Sequence, residues 1–249
     1  MKILSYKKIK SNLYEITLDN LEKIKLYDEI ILKENLLLKK EIEQSYLNEI
    51  IQQNNFYELY HETIKYLKTK MRSEEEIYRK FNKKYSNKEI AKVVLRLKQD
   101  GYLNDLAYIK AYINDSINLK LVGPNKIKKD LVSLGFDNDI VAQVLAEINA
   151  SVWHQKVKKF TDKMIKVNKK FSASALKQKI MSDLINKGFN IDVIDDYLKV
   201  VDITISSEVY KKEYTKLYNK FSKKYEGAKL EYEINIRLRA KGFGNFIDL

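Results

Sequence analysis

The sequence predicts a mainly α protein. Tandem three-helix-bundle repeats would form an elongated array, preceded by a small N-terminal β-hairpin or meander with a helix. Three observations carry that prediction. Seven Gly and a single Pro in 249 residues leave little turn material for a β-sandwich or barrel. Apolar i, i+4 pairs followed by a glycine and an aromatic residue recur at a fixed interval. Only the first 35 residues alternate apolar and polar side chains as strands do.

The alternating stretch comes first in the chain. Leu13 to Leu18 reads LYEITL, Asp19-Asn20 is a turn signal, and Lys23 to Leu26 alternates again. Lys2 to Tyr6 offers a third strand. A sheet this small has no core of its own and must lean on a helix, expected over residues 38–52. The charge changes near residue 54, which marks the first boundary.

The repeats follow. Ile127, Leu131, Gly135-Phe136, Ile140 and Val144-Leu145 return as Ile180, Leu184, Gly188-Phe189, Val193 and Tyr197-Leu198. Ile234, Leu238, Gly242-Phe243 and Ile247 begin another copy. An earlier one lacks the glycine: Ile77, Phe81, Tyr85, Ile90 and Val94-Leu95. The aromatic anchors Tyr85, Phe136, Phe189 and Phe243 lie 51, 53 and 54 residues apart. An i, i+4 pair puts two side chains on one helix face. The glycine supplies a left-handed C-cap, and the next aromatic folds back on that face. Asp137, Ser86 to Glu89 and Ser73 to Glu76 supply N-caps, and Pro124 suits a first helical turn. A further amphipathic stretch precedes each copy: 56–70, 106–120, 153–168 and 209–223. The expected organisation is a strand-rich extension with a helix at 1–53, three-helix repeats at 54–103, 104–149 and 150–204, and a partial repeat at 205–249.

Composition excludes several functions. No Cys is present and His61 and His154 are the only histidines, so thiolate and histidine-rich metal sites are absent and no metal or cofactor is expected. His61-Glu62 lacks the second histidine of a zinc-protease helix, and there is no P-loop or G-x-S-x-G. No catalytic residue is therefore assigned. No apolar run has signal-peptide or membrane-spanning length, so a cytoplasmic protein away from membranes is expected. The net charge is +13, with lysine supplying 42 of the 47 basic side chains. AT-rich codon usage alone enriches lysine, but it does not explain the placement. Residues 1–60 hold 9 basic and 10 acidic side chains, whereas 61–149 hold 17 and 12, 150–205 hold 11 and 6, and 206–249 hold 10 and 6.

Three motifs resemble those of the RecX recombination regulators. Arg72-Ser-Glu-Glu-Glu-Ile77 is similar to their R-S-E-x-E-L signature, with Ser73 and Glu76 at the matching cap positions. Gly101-Tyr102-Leu-Asn-Asp105, followed by Tyr108, resembles G-Y-L-D-D-x-x-F/Y. Gly123-Pro124 with Ile127, Leu131 and Gly135-Phe136 resembles G-P-x-x-I-x-x-x-L-x-x-K-G-I/F, and Gly188-Phe189 repeats its end. The motifs keep the family's order across residues 70–140, and the strand-rich N-terminus resembles the extension of low-GC Gram-positive members. Asn104 and Leu134 depart from the pattern, standing where the family has aspartate and lysine. The resemblance implies a non-enzymatic modulator of the RecA recombinase, lying along the groove of the RecA–DNA filament and limiting its growth or favouring disassembly. A monomer is expected, with weak, sequence-independent contact to single- and double-stranded DNA.

The candidate filament- or DNA-binding residues are Lys126, Lys128 and Lys129 after Pro124, and the denser run Lys156, Lys158, Lys159, Lys163, Lys166, Lys169 and Lys170. Spacings of three, four and seven put several of the second group on one helical stripe. Lysine meets phosphate as a point charge without base selectivity. Arg72 joins these candidates, although its neighbourhood also allows a salt bridge to Glu75 or Glu76. Asn104-Asp105 reads as a helix cap, and Trp153 and the tyrosines at 210, 214, 218 and 225 as packing residues. The alternative function is direct DNA binding through a helix-turn-helix-like unit, against which stands the scarcity of Arg, Asn and Gln in the candidate recognition helices.

Overall fold

The computed structural model describes residues 1–39, 41–204 and 206–243. Among them are one three-stranded antiparallel sheet and twelve helices. Two compact units divide the chain, Met1–Tyr108 and Ile109–Leu249. No helix of the described residues is long and apolar enough to cross a membrane.

In the first unit, β1 (Ile3–Lys10), β2 (Leu13–Leu18) and β3 (Lys23–Tyr27) pair in sequence order, with Tyr6 opposite Ile16 and Ile16 opposite Ile24. One face buries Ile16, Leu18 and Leu26 against Ile30 and Ile31 of α1 (Asp28–Lys33) and Leu47 and Ile50 of α2 (Gln44–Leu67). The two helical stretches expected at 38–52 and 56–70 are thus one 24-residue helix, and Leu38 lies exposed before it. Asn54 is the reason no break occurs in the polar run between them. Its buried amide accepts from the Tyr27 N–H at 2.9 Å and donates to the Lys25 carbonyl at 3.1 Å, completing the edge of β3 from inside α2. Two turns along, His61 stacks on Tyr27 at 4.6 Å and meets Glu29 of α1 at 2.7 Å.

The second half of α2 packs with α3 (Glu74–Phe81) and α4 (Asn87–Gln99) around Leu59, Ile77, Phe81, Tyr85, Ile90, Val94 and Leu97. Both expected capping boxes form, Ser73 with Glu76 and Ser86 with Glu89. Arg72 pairs with Glu76 at 3.1 Å and lies 4.0 Å from the centre of the Tyr66 ring, so its guanidinium is held within the bundle. Burial alone raises the Glu76 carboxyl, but hydrogen bonds from the Ser73 N–H, Lys70 and Arg72 outweigh it and hold the group below the usual carboxylate value. A depressed carboxyl contributes stability above the unfolded-state value and loses it as pH falls through the folded one. Replacing Ser73 with Ala is expected to cost about 1 kcal/mol. Glu76→Gln should lower stability near neutrality and flatten its decline in mild acid, as read by urea melts at both conditions.

The second unit begins within α5 (Asp105–Leu119) and continues through α6 (Pro124–Ser133), α7 (Asn138–Ala146), α8 (Ala150–Lys166), α9 (Ala173–Asn186), α10 (Ile191–Val200), α11 (Ser207–Phe221) and α12 (Gly227–Ala240). Asn104 caps α5 through the Ala107 N–H at 2.9 Å. Helices α6, α9 and α12 end alike. Gly135, Gly188 and Gly242 have φ of 90°, 84° and 78°, and the N–H of the aromatic after each returns to the carbonyl of Leu131, Leu184 or Leu238. This is the glycine C-cap that the repeat predicts. Phe136, Phe189 and Phe243 are all buried. The first core position of α7 and of α10 falls one residue later than the apolar spacing predicts, whereas Val144, Leu145 and Leu198, and Ile90 and Val94 in α4, are buried where it places them. Val141 and Ile194 are buried in place of Ile140 and Val193, and in α4 Leu95 is exposed while Leu97 is buried. Ile90, Val141 and Ile194 each lie four residues after the N-cap, and Tyr85, Phe136 and Phe189 each immediately precede it, which are the positions of a hydrophobic staple. Ile247 lies outside the described residues.

Successive repeats in this unit dock through those glycine turns. The Gly123 N–H donates to the Lys187 carbonyl at 2.8 Å and the Asn125 N–H to the Gly188 carbonyl at 3.0 Å. The next joint uses serine instead: Ser172 Oγ donates to the Lys241 carbonyl at 2.7 Å, beside Gly242.

Candidate nucleic-acid interface

Helix α8 buries Trp153, Val157 and Thr161, which fixes its orientation. Lys156, Lys159 and Lys163, spaced three and four residues apart, then share a flank beside the end of α5 and the turn after α9. There they meet Lys120 and Lys187 across a groove of about 850 Å³, walled by Leu119, Leu121, Val152, Phe160 and Met164. Five lysines and no carboxylate line it. Among the described residues none of the five has a carboxylate within 4.0 Å, whereas Lys126 is paired with Asp130 at 3.0 Å and Lys84 with Glu58 at 2.9 Å. Lys156 Nζ donates to the Lys120 carbonyl at 2.7 Å. Burial, and then the charge of Lys159, lower the Lys156 ammonium below the ordinary lysine value. A concentration of unneutralised cations against low-dielectric walls attracts anions of any shape, phosphate above all.

A second groove of about 730 Å³ is built the same way one repeat later. Lys169 and Lys170 from the loop after α8, Lys212 and Lys216 on α11, and Lys241 line it with Phe171. It carries one carboxylate, the buried Glu213, which pairs with Lys241.

The lysines expected on one stripe are therefore divided. Lys156, Lys159 and Lys163 share the first groove and Lys169 and Lys170 the second, while Lys158 and Lys166 are exposed and line neither. Lys126, Lys128 and Lys129 sit on α6, outside both grooves. Lys120, Lys187, Lys212, Lys216 and Lys241 join the grooves without having been singled out by the sequence pattern. Lys187 and Lys241 each immediately precede the C-cap glycine, the position that Leu134 occupies one repeat earlier, and that recurrence is the signal in the sequence.

No family model matches the chain. The regulatory protein RecX of Streptococcus pneumoniae is 31% identical over 256 aligned residues, covering 100% of this chain and 97% of its own length. The chain belongs to the RecX family of regulatory proteins. The RecX of Oceanobacillus iheyensis is 30% identical over 222 residues, covering 87% of this chain and 82% of its own. Two crystal structures share the RecX fold: a regulatory protein RecX with a TM-score of 0.69 at 21% identity, over 79% of this chain and 98% of that one, and RecX from Lactobacillus salivarius with a TM-score of 0.56 at 23% identity, over 60% and 99%. Sequence identity thus carries the family, and the structural likeness carries the mainly helical fold.

Proposed function

We propose that this RecX-family chain is a non-enzymatic, monomeric, cytoplasmic regulator that binds RecA–DNA filaments along their helical groove. It limits filament growth or promotes disassembly, and so modulates recombination and repair. Its working units are the repeats at 54–103, 104–149 and 150–204 with the partial one at 205–249. The observation that carries the reading is the first lysine groove, five cations without a carboxylate, followed one repeat later by a second groove of five lysines with the single carboxylate Glu213. Such a surface suits a partner made of DNA and acidic protein, and its lysines meet phosphate without base selectivity.

The test is binding of the labelled chain to RecA-coated and to bare single-stranded DNA across a salt titration. Tighter binding to the coated strand is expected, with bare-strand affinity falling steeply as salt rises, by about 0.7 in log–log slope per phosphate neutralised. Tight, sequence-selective duplex binding with no preference for RecA would instead establish the chain as a direct DNA reader.

A further inference from the structure

We infer that Lys156 is a site of acylation by anionic acyl donors such as acyl phosphates, and that its acylation lowers the charge of the first lysine groove. The chemistry follows from where the amine sits. An acyl phosphate carries its negative charge next to the reactive carbonyl, so a groove of five unneutralised lysines concentrates the donor around its own nucleophiles. Of the five, Lys156 is the one whose Nζ is anchored, donating to the Lys120 carbonyl at 2.7 Å. That acceptor is a neutral carbonyl and not a carboxylate, so the bond needs one N–H and not the positive charge.

In the step, the neutral Lys156 amine attacks the acyl carbon and a C–N bond forms. The C–O bond to phosphate breaks, phosphate leaves with the electron pair, and the extra amine proton passes to water. The product amide keeps one N–H, which still meets the Lys120 carbonyl. Leu119, Leu121 and Val152 line the same groove and offer apolar surface to the acyl group. The lost charge also ends the repulsion with Lys159. Burial and that same neighbour already lower the Lys156 ammonium, enlarging the fraction of free amine at neutral pH. Modification therefore leaves the fold intact and removes one of the five positive charges of the groove. The consequence for filament binding rests on the reading proposed above; the modification itself does not.

The experiment treats the full chain with acetyl phosphate and follows acetylation of each lysine by mass spectrometry. Lys158, exposed on the same helix and outside the groove, is the internal reference. Lys156 is expected to react severalfold faster than Lys158, because the lysine groove concentrates the anionic donor around its amine and leaves Lys158 outside. The ratio should collapse in urea, and it should fall when neutral acetic anhydride replaces the anionic donor. Equal or slower reaction at Lys156, or a ratio that survives unfolding, overturns the assignment. Neither RecA nor DNA enters the measurement, so its failure leaves the filament reading to its own test. Lys156→Gln, which copies the neutral amide, should retain the wild-type melting profile and weaken binding to bare single-stranded DNA by severalfold.

Discussion

Gly188→Ala is expected to cost the C-terminal unit about 3 kcal/mol, against about 1 kcal/mol for Gly101→Ala in the N-terminal unit. Both glycines have positive φ, 84° and 78°, so both substitutions bear the same left-handed backbone penalty. Their surroundings differ. A Cβ on Gly101 meets nothing within 4 Å, whereas one on Gly188 falls 2.4 Å from the Lys126 backbone nitrogen. Backbone cannot rotate away as a long side chain can, so the start of α6 must lift off the turn between α9 and α10. That movement breaks the bonds from Gly123 and Asn125 that join the two repeats. Gly123→Ala separates the two effects from the other side. Its φ of −93° suits any residue, but its Cβ lands 2.3 Å from the Gly188 carbonyl oxygen, so it carries the steric cost alone. Denaturant melts of the three variants check the order. Equal losses at Gly101 and Gly188 would show that the joint contributes nothing.

Reversing Lys156, Lys159, Lys163 and Lys187 to Glu is expected to flatten the salt dependence of binding to bare single-stranded DNA by up to ~3 in log–log slope, at about 0.7 for each phosphate no longer neutralised. None of the four has a carboxylate partner within 4.0 Å among the described residues, so the fold loses no ion pair; it loses the Lys156 bond to the Lys120 carbonyl, and the variant should melt slightly earlier while remaining folded. Lys158→Glu lies on the same helix outside the groove and should leave the slope close to wild type. An unchanged slope in the fourfold variant would make the groove a solvated face and nothing more.

The helical pairs are legible in the sequence because their signals are local. Ser73 and Glu76, Ser86 and Glu89, and each glycine with its following aromatic act within a few residues, and each forms the cap its spacing implies. The one-residue slip at Ile140 has its cause in the cap, which sets the helical register more firmly than apolar spacing does. Asp137 accepts from the Asp139 and Ile140 amides, which leaves Val141 as the first residue turned to the core. The single helix α2 is hidden for a different reason. Asn54 reads as a loop residue until its partners on β3, nearly thirty positions away, are known. The grooves stand between these cases. A helical repeat places Lys156, Lys159 and Lys163 together, but Lys120 and Lys187 reach them only through the docking of three helices, which no local pattern encodes. Charge counts point to this part of the chain and cannot separate Lys158 from its neighbours.

The most direct measurement of the central claim is ATP hydrolysis by RecA on single-stranded DNA, with this chain added below RecA's concentration. The wild-type chain is predicted to slow hydrolysis, and the variant with Lys156, Lys159, Lys163 and Lys187 reversed to lose most of that effect while remaining folded. Unaltered hydrolysis with the wild-type chain would contradict the filament reading. Full inhibition by the reversed variant would contradict the place of the lysine groove within it.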